Sequence, residues 1–247
     1  YIMIPKIIHF CWLSEGPLPA SVQKYIDGWS KILPDYEIRK WDFNRFPKGK
    51  SAWVDEAFDN RKFAFAADFI RCYALYTEGG IYLDSDVEVL KRFDNLLHLP
   101  YFMGLENGSG YIEAAVLGSE KGNPLFAQAL DYYSNRHFVK EDGTLDMKPL
   151  PEILVDLWGS KRKLKPIGRI DDFDSTPDML SVFPFDYFSP IHHEHRKLQS
   201  SSRTITIHHF AASWQSGWAK HRNAIKKLVG PDIYKYLIRA KRMLLRR

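Results

Sequence analysis

Between Phe63 and Leu90 the chain reads FAFAADFIRCYALYTEGGIYLDSDVEVL. Ala66, Ala67, Ile70, Ala74 and Leu75 recur at the spacing of one buried helical face. Gly79-Gly80 then supplies the residue type that ends a helix and lets the chain reverse. Ile81-Tyr82-Leu83-Asp84 alternates as a strand does, so Ile81 and Leu83 face one way while Tyr82, Asp84 and, if extension continues, Asp86 face the other. One turn separates Asp68 from Arg71 on the helix, which puts both on one side of it. A helix feeding a buried strand that ends in two acids fits an α/β fold, and it places the chemistry at that strand end.

Two carboxylates so spaced can hold a hard divalent cation and leave coordination positions for phosphate oxygens. Asp-X-Asp alone is also common in turns. Two rivals can be tested on the residues. An EF-hand counted from Asp84 needs glycine at its sixth position and glutamate at its twelfth; the chain has Val89 and Asn95. A haloacid-dehalogenase-type phosphohydrolase needs Thr or Val two residues beyond the second aspartate and finds Glu88. That reading stays as a distant alternative.

The rest of the chain is read as strands and helices in α/β order. Ile4–Phe10 is a strand too apolar for an edge, ending near His9 and Trp12, and Trp12 beyond a strand's carboxyl end can stack on a base or fill the core. A helix over Ala20–Leu33, a strand over Tyr36–Trp41 and a short helix over Ser51–Phe58 follow. After the aspartates come strands at Tyr101–Glu106 and Tyr111–Gly118, joined by a turn at Asn107–Gly110. Helices are expected from Asn123-Pro124 to about Asn135 and at Leu150–Trp158, and strands at Leu180–Phe183 and Arg203–His208. Asp171, Asp172 and Asp174 are read as loop acids. His192, His193 and His195 lack the spacing and partner cysteines of a zinc site.

IPKIIHFCW at 4–12, FAADFIRCYALYTEGGIYLDSDVE at 65–88 and HHFAASW at 208–214 stand in the order found in a known family. The chain resembles the glycosyltransferases that include yeast-type initiating mannosyltransferases and bacterial capsular polysaccharide sugar transferases. It is more distantly similar to the glucosylating domains of clostridial toxins. The resemblance implies a GT-A-type, Rossmann-like nucleotide-binding fold with a mixed central sheet and a helical C-terminal tail. It also implies a retaining transfer from a nucleotide-sugar, a UDP-sugar first and GDP-mannose next, to a saccharide or lipid-linked saccharide in polysaccharide biosynthesis. Asp84 and Asp86 would hold Mn²⁺ or Mg²⁺, with His209 as a further ligand and His208 structural. Asp68 and Arg71 would hold sugar hydroxyls or phosphate. His9, Trp12, Tyr82 and Trp214 would line the nucleotide. Glu113 stands where related transferases carry an asparagine or another polar residue, so it is either a carboxylate at the anomeric carbon or a solvent-facing strand residue.

At 247 residues the chain suits one catalytic domain, expected over 1–218, with a tail over 219–247. That tail holds ten Lys or Arg against one acid, Asp232, within a net charge of +5, so the remaining body is mildly acidic. The asymmetry argues against nucleic acid as partner and suggests a basic amphipathic helix, set either on an anionic membrane or against the domain. Cys11 and Cys72, the only cysteines, lie in apolar segments and read as reduced thiols. With no bilayer-length apolar run and no signal pattern, the expectation is a cytoplasmic enzyme, peripheral on the inner membrane face at most.

Overall fold

The structure is a computed structural model that describes residues 3–211. Trp214 and the expected tail over 219–247 lie outside the described residues. In chain order the elements are β1 (Ile7–Cys11), α1 (Ala20–Ile32), β2 (Glu37–Trp41), α2 (Ala52–Asp59), α3 (Phe63–Glu78), β3 (Gly80–Leu83), β4 (Val87–Val89), β5 (Tyr101–Leu105), β6 (Ile112–Ser119), α4 (Pro124–Ser134), α5 (Leu150–Gly159), β7 (Lys163–Pro166), β8 (Met179–Val182), α6 (Phe185–Phe188) and β9 (Thr206–His208).

The central sheet has the order β2-β1-β3-β6-β5. β1 pairs in parallel with β2 and β3, whereas β3–β6 and β6–β5 are antiparallel. The sheet is therefore mixed, as expected. Both faces are covered, which is why β3 and β6 are buried along their whole length. Ile8, Phe10, Ile81, Leu83 and Val116 pack with Val22, Ile26 and Trp29 of α1 on one face. Tyr82, Trp41, Met103 and Leu117 pack with residues of α2, α3, α4 and α5 on the other. The alternation read in β3 thus sorts its side chains to opposite faces, but Tyr82 meets a second core rather than solvent.

The predicted helices α1 to α5 form within a residue or two of their expected bounds, and side-chain caps mark the starts of two of them. Ser51 caps α2 by accepting from Val54 N at 3.3 Å, and Asn123 caps α4 by accepting from Leu125 N at 3.0 Å. At the end of α3, Gly79 and Gly80 have φ of +69° and +114°. A Cβ on Gly80 would lie 2.7 Å from the Ile7 carbonyl oxygen, and one on Gly79 would lie 2.7 Å from Lys121 N. The glycine pair is needed for both backbone angle and close approach.

Three elements were not read from the sequence. β4 is three residues long and pairs antiparallel with β9, placing Val87 opposite His208. β7 pairs in parallel with β8, and α6 makes a single turn after it. β4 is also held from α1, where Trp29 Nε1 donates to the Val87 carbonyl at 2.8 Å. Cys11 and Cys72 are both free, as read, and burial pushes the Cys72 thiol up to about 12. Among the described residues no helix is long and apolar enough to cross a membrane.

Candidate metal and donor site

Four elements meet at the carboxyl end of β3. Asp84 follows the strand directly and its backbone N–H donates to the Ala115 carbonyl at 2.9 Å, tying the acid to β6. Val87 N donates back to the Asp84 carbonyl at 3.0 Å, so the chain turns through Ser85 and Asp86 into β4. β9 runs beside β4 and delivers His208 next to Asp86, with Nε2 3.5 Å from an Asp86 carboxylate oxygen. Asp84, Asp86 and His208 each offer a ligand atom, all within 4.8 Å of one another. No other group of three or more such residues occurs among the described residues.

Behind this trio lies a layer of charge. Arg71 reaches from α3, with one terminal nitrogen 3.0 Å from Asp68 and 3.3 Å from Asp84. Its other terminal nitrogen donates to the Ala114 carbonyl at 2.7 Å. Tyr82 lies beneath the guanidinium, 4.7 Å from it to the ring centroid. Burial pushes the Asp68 carboxyl up to about 6 even though Arg71 pulls it down. Asp84 is raised likewise by burial, against the pull of Arg71 and His208. Burial alone would lower His208, but Glu113 and then Asp86 and Asp84 outweigh it and lift the imidazole to about 9. The same contact outweighs the burial penalty on Glu113 and holds it at about 2. The floor is therefore a packed lattice of paired charges whose surplus is negative.

Most of the residues singled out from the sequence gather here, in roles that differ. Asp68, Arg71, Asp84 and Asp86 come together as the motif suggested. His209 does not join them: its Nε2 lies 2.8 Å from Glu88 and its ring stacks on Tyr25 at 5.3 Å. His208 takes the place beside the aspartates instead, because neighbouring residues of a strand face opposite sides and His208 is the one paired with Val87. His9 cannot reach a nucleotide, being wholly buried with Trp41 Nε1 donating to its Nδ1 at 3.0 Å and its Nε2 donating to the Gly79 carbonyl at 2.7 Å. Tyr82, 1% exposed, supports Arg71 rather than framing a nucleoside. Glu113, 2% exposed, is neither solvent-facing nor open to a sugar; it sits against His208 Nδ1 at 3.2 Å. Trp12 stays half-buried beyond β1, its indole N–H enclosed and without a hydrogen-bond partner among the described residues.

Residues 19–103 match the family model described as glycosyltransferase sugar-binding region containing DXD motif. Among its relatives is inositol phosphoceramide mannosyltransferase 3 of Schizosaccharomyces pombe, 31% identical over 172 residues. That match covers 65% of this chain but only 46% of the fission-yeast protein. An uncharacterized glycosyltransferase, L373, of Acanthamoeba polyphaga mimivirus is 27% identical over 233 residues, covering 91% of this chain and 87% of that one. The solved PaToxG glycosyltransferase aligns with a TM-score of 0.45 at 20% identity, over 62% of this chain and 68% of that one.

Proposed function

We propose that the chain is a metal-dependent, retaining glycosyltransferase of the GT-A type, moving a sugar from a nucleotide-sugar to a saccharide or lipid-linked saccharide. The convergence of Asp84, Asp86 and His208 carries this reading. Two carboxylates and an imidazole are a donor set suited to Mn²⁺, with Mg²⁺ served by the carboxylates alone. These three side chains would hold the cation. When bound, it supplies neutralising charge where a diphosphate leaves.

The chain's own residues do the rest. Arg71 is held through both terminal nitrogens by Asp68, Asp84 and the Ala114 carbonyl, while its buried Nε has no hydrogen-bond partner among the described residues, so its part is to fix Asp84 and set the local potential. Asp68, paired with Arg71 at 3.0 Å, is the carboxylate assigned to a sugar hydroxyl. Trp12, half-buried beyond β1, offers a ring for the base. The burial of Glu113 behind His208 leaves no free carboxylate at the anomeric carbon from that strand. That favours front-face departure and attack over a covalent sugar–enzyme intermediate.

The names of the fungal relatives bear on the donor. Two of them are named inositol phosphoceramide mannosyltransferases and two mannosyl phosphorylinositol ceramide synthases, which moves GDP-mannose ahead of the UDP-sugars and favours a lipid-linked acceptor. A basic segment at 219–247 docking on an anionic membrane would bring such an acceptor close, and vesicle co-sedimentation tests it. Donor hydrolysis with GDP-mannose and UDP-hexoses, with and without Mn²⁺, tests the whole reading. One nucleotide-sugar should be cleaved in a Mn²⁺-dependent manner. Release of phosphate from simple esters, with no donor cleaved, would favour the phosphohydrolase instead.

A further inference from the structure

Glu113 has an unusual position for a buried acid. It lies inside β6, where both faces of the strand are covered, and its two oxygens have different tasks. Oε1 accepts from Ala115 N at 2.8 Å, which fixes the carboxylate to its own strand. Oε2 lies 3.2 Å from His208 Nδ1. Across the same ring, Nε2 lies 3.5 Å from Asp86. An ionised carboxylate only accepts, so Nδ1 must be the donor of that bond and Nε2 is the nitrogen left to face Asp84 and Asp86.

Resting on the metal reading above, we infer that Glu113 is the positioning residue that aims His208 Nε2 at the cation. An imidazole held through its second nitrogen by a carboxylate keeps one tautomer and one ring orientation, and becomes a better ligand. The next residue along the chain supplies an internal contrast. His209 also meets a carboxylate, Glu88 at 2.8 Å, but that pair is partly exposed and His209 lies just past the end of β9. Both adjacent histidines are paired with an acid, and only one pair abuts the aspartates.

The test is Mn²⁺ affinity of the full chain, measured by calorimetry for wild type, Glu113→Gln and Glu88→Gln. Glu113→Gln keeps the volume and removes the charge, and should weaken Mn²⁺ binding by about 10- to 100-fold. Glu88→Gln should leave it unchanged. Equal affinity of Glu113→Gln and wild type would overturn the inference while leaving the metal site standing. No Mn²⁺ binding by wild type would overturn the metal reading itself, and the inference with it. A second measurement needs no variant and so survives a Glu113→Gln chain that fails to fold. In ¹⁵N-histidine-labelled wild type loaded with Zn²⁺ as a diamagnetic probe, His208 should keep a hydrogen-bonded Nδ1 proton and coordinate through Nε2. Coordination through Nδ1 would end the proposal.

Discussion

Asp171, Asp172 and Asp174 form as dense an acidic run as Asp84 and Asp86, yet the two groups live in different worlds. Asp171 pairs with Arg169 where both side chains are about three-quarters or more exposed, at 83% and 76%. Asp174 closes its own turn, accepting from Thr176 N at 3.1 Å and Thr176 Oγ1 at 2.7 Å. Asp86, by contrast, is 7% exposed, and the charges around it come from α3, β6 and β9. Water answers most of the charge of the first group; at Asp86 other side chains must answer it, while Asp84 keeps 29% of its side chain exposed. An acidic run becomes a site when separate elements converge on it and solvent is kept out.

That contrast can be broken experimentally, starting where the effect is greatest. Arg71→Ala strips the cation from the buried Asp68 and the partly exposed Asp84 and should cost about 3 kcal/mol of stability in a denaturant titration. A loss no larger than that of a surface substitution would mean the floor is as well solvated as the 171–174 loop. Asp84→Asn and Asp86→Asn should each lower sugar transfer or donor hydrolysis by about 100- to 1000-fold with the fold retained. An unchanged rate in either would remove the catalytic half of the comparison.

The next test uses pH on an exposed network. Lys6 and Arg92 hold the Asp35 carboxyl at about 2, below its ordinary value. A depressed carboxyl stabilises the fold above its unfolded value and loses that contribution as pH falls. The melting-temperature gap between wild type and Asp35→Asn should therefore hold steady above about pH 4 and close towards about pH 2. A gap that persists at the acid end would show that the pair acts through packing and not charge. Last, Asp171→Asn and Asp172→Asn should shift stability by no more than about 0.5 kcal/mol and leave transfer untouched.

Much of the site's position was legible, because α3, the glycine pair and β3 are specified by neighbours within one stretch. Periodicity and helix caps are local signals, and they gave Asp68, Arg71, Asp84 and Asp86 their common neighbourhood. What was misread depends on distance. The choice between His208 and His209 rests on a single strand register, and that register is set by β4, three residues lying about half the chain away. His9 looked available because nothing local announces that Trp41 and Gly79 occupy both of its nitrogens. Tyr82 alternated as expected, but a strand covered on both faces has no solvent side to offer. Glu113 was left open between two roles, and its true neighbour, His208, lies 95 positions further along.

The pairing of β4 with β9 has a consequence for how the molecule comes into being. Val87 meets a partner made long after it, so the third member of the candidate cation trio is absent until His208 has been made. Until then the two aspartates are only a charged bend with nothing to complete them. A chain that lacked the late strand would hold Asp84 and Asp86 without the imidazole that stands beside them.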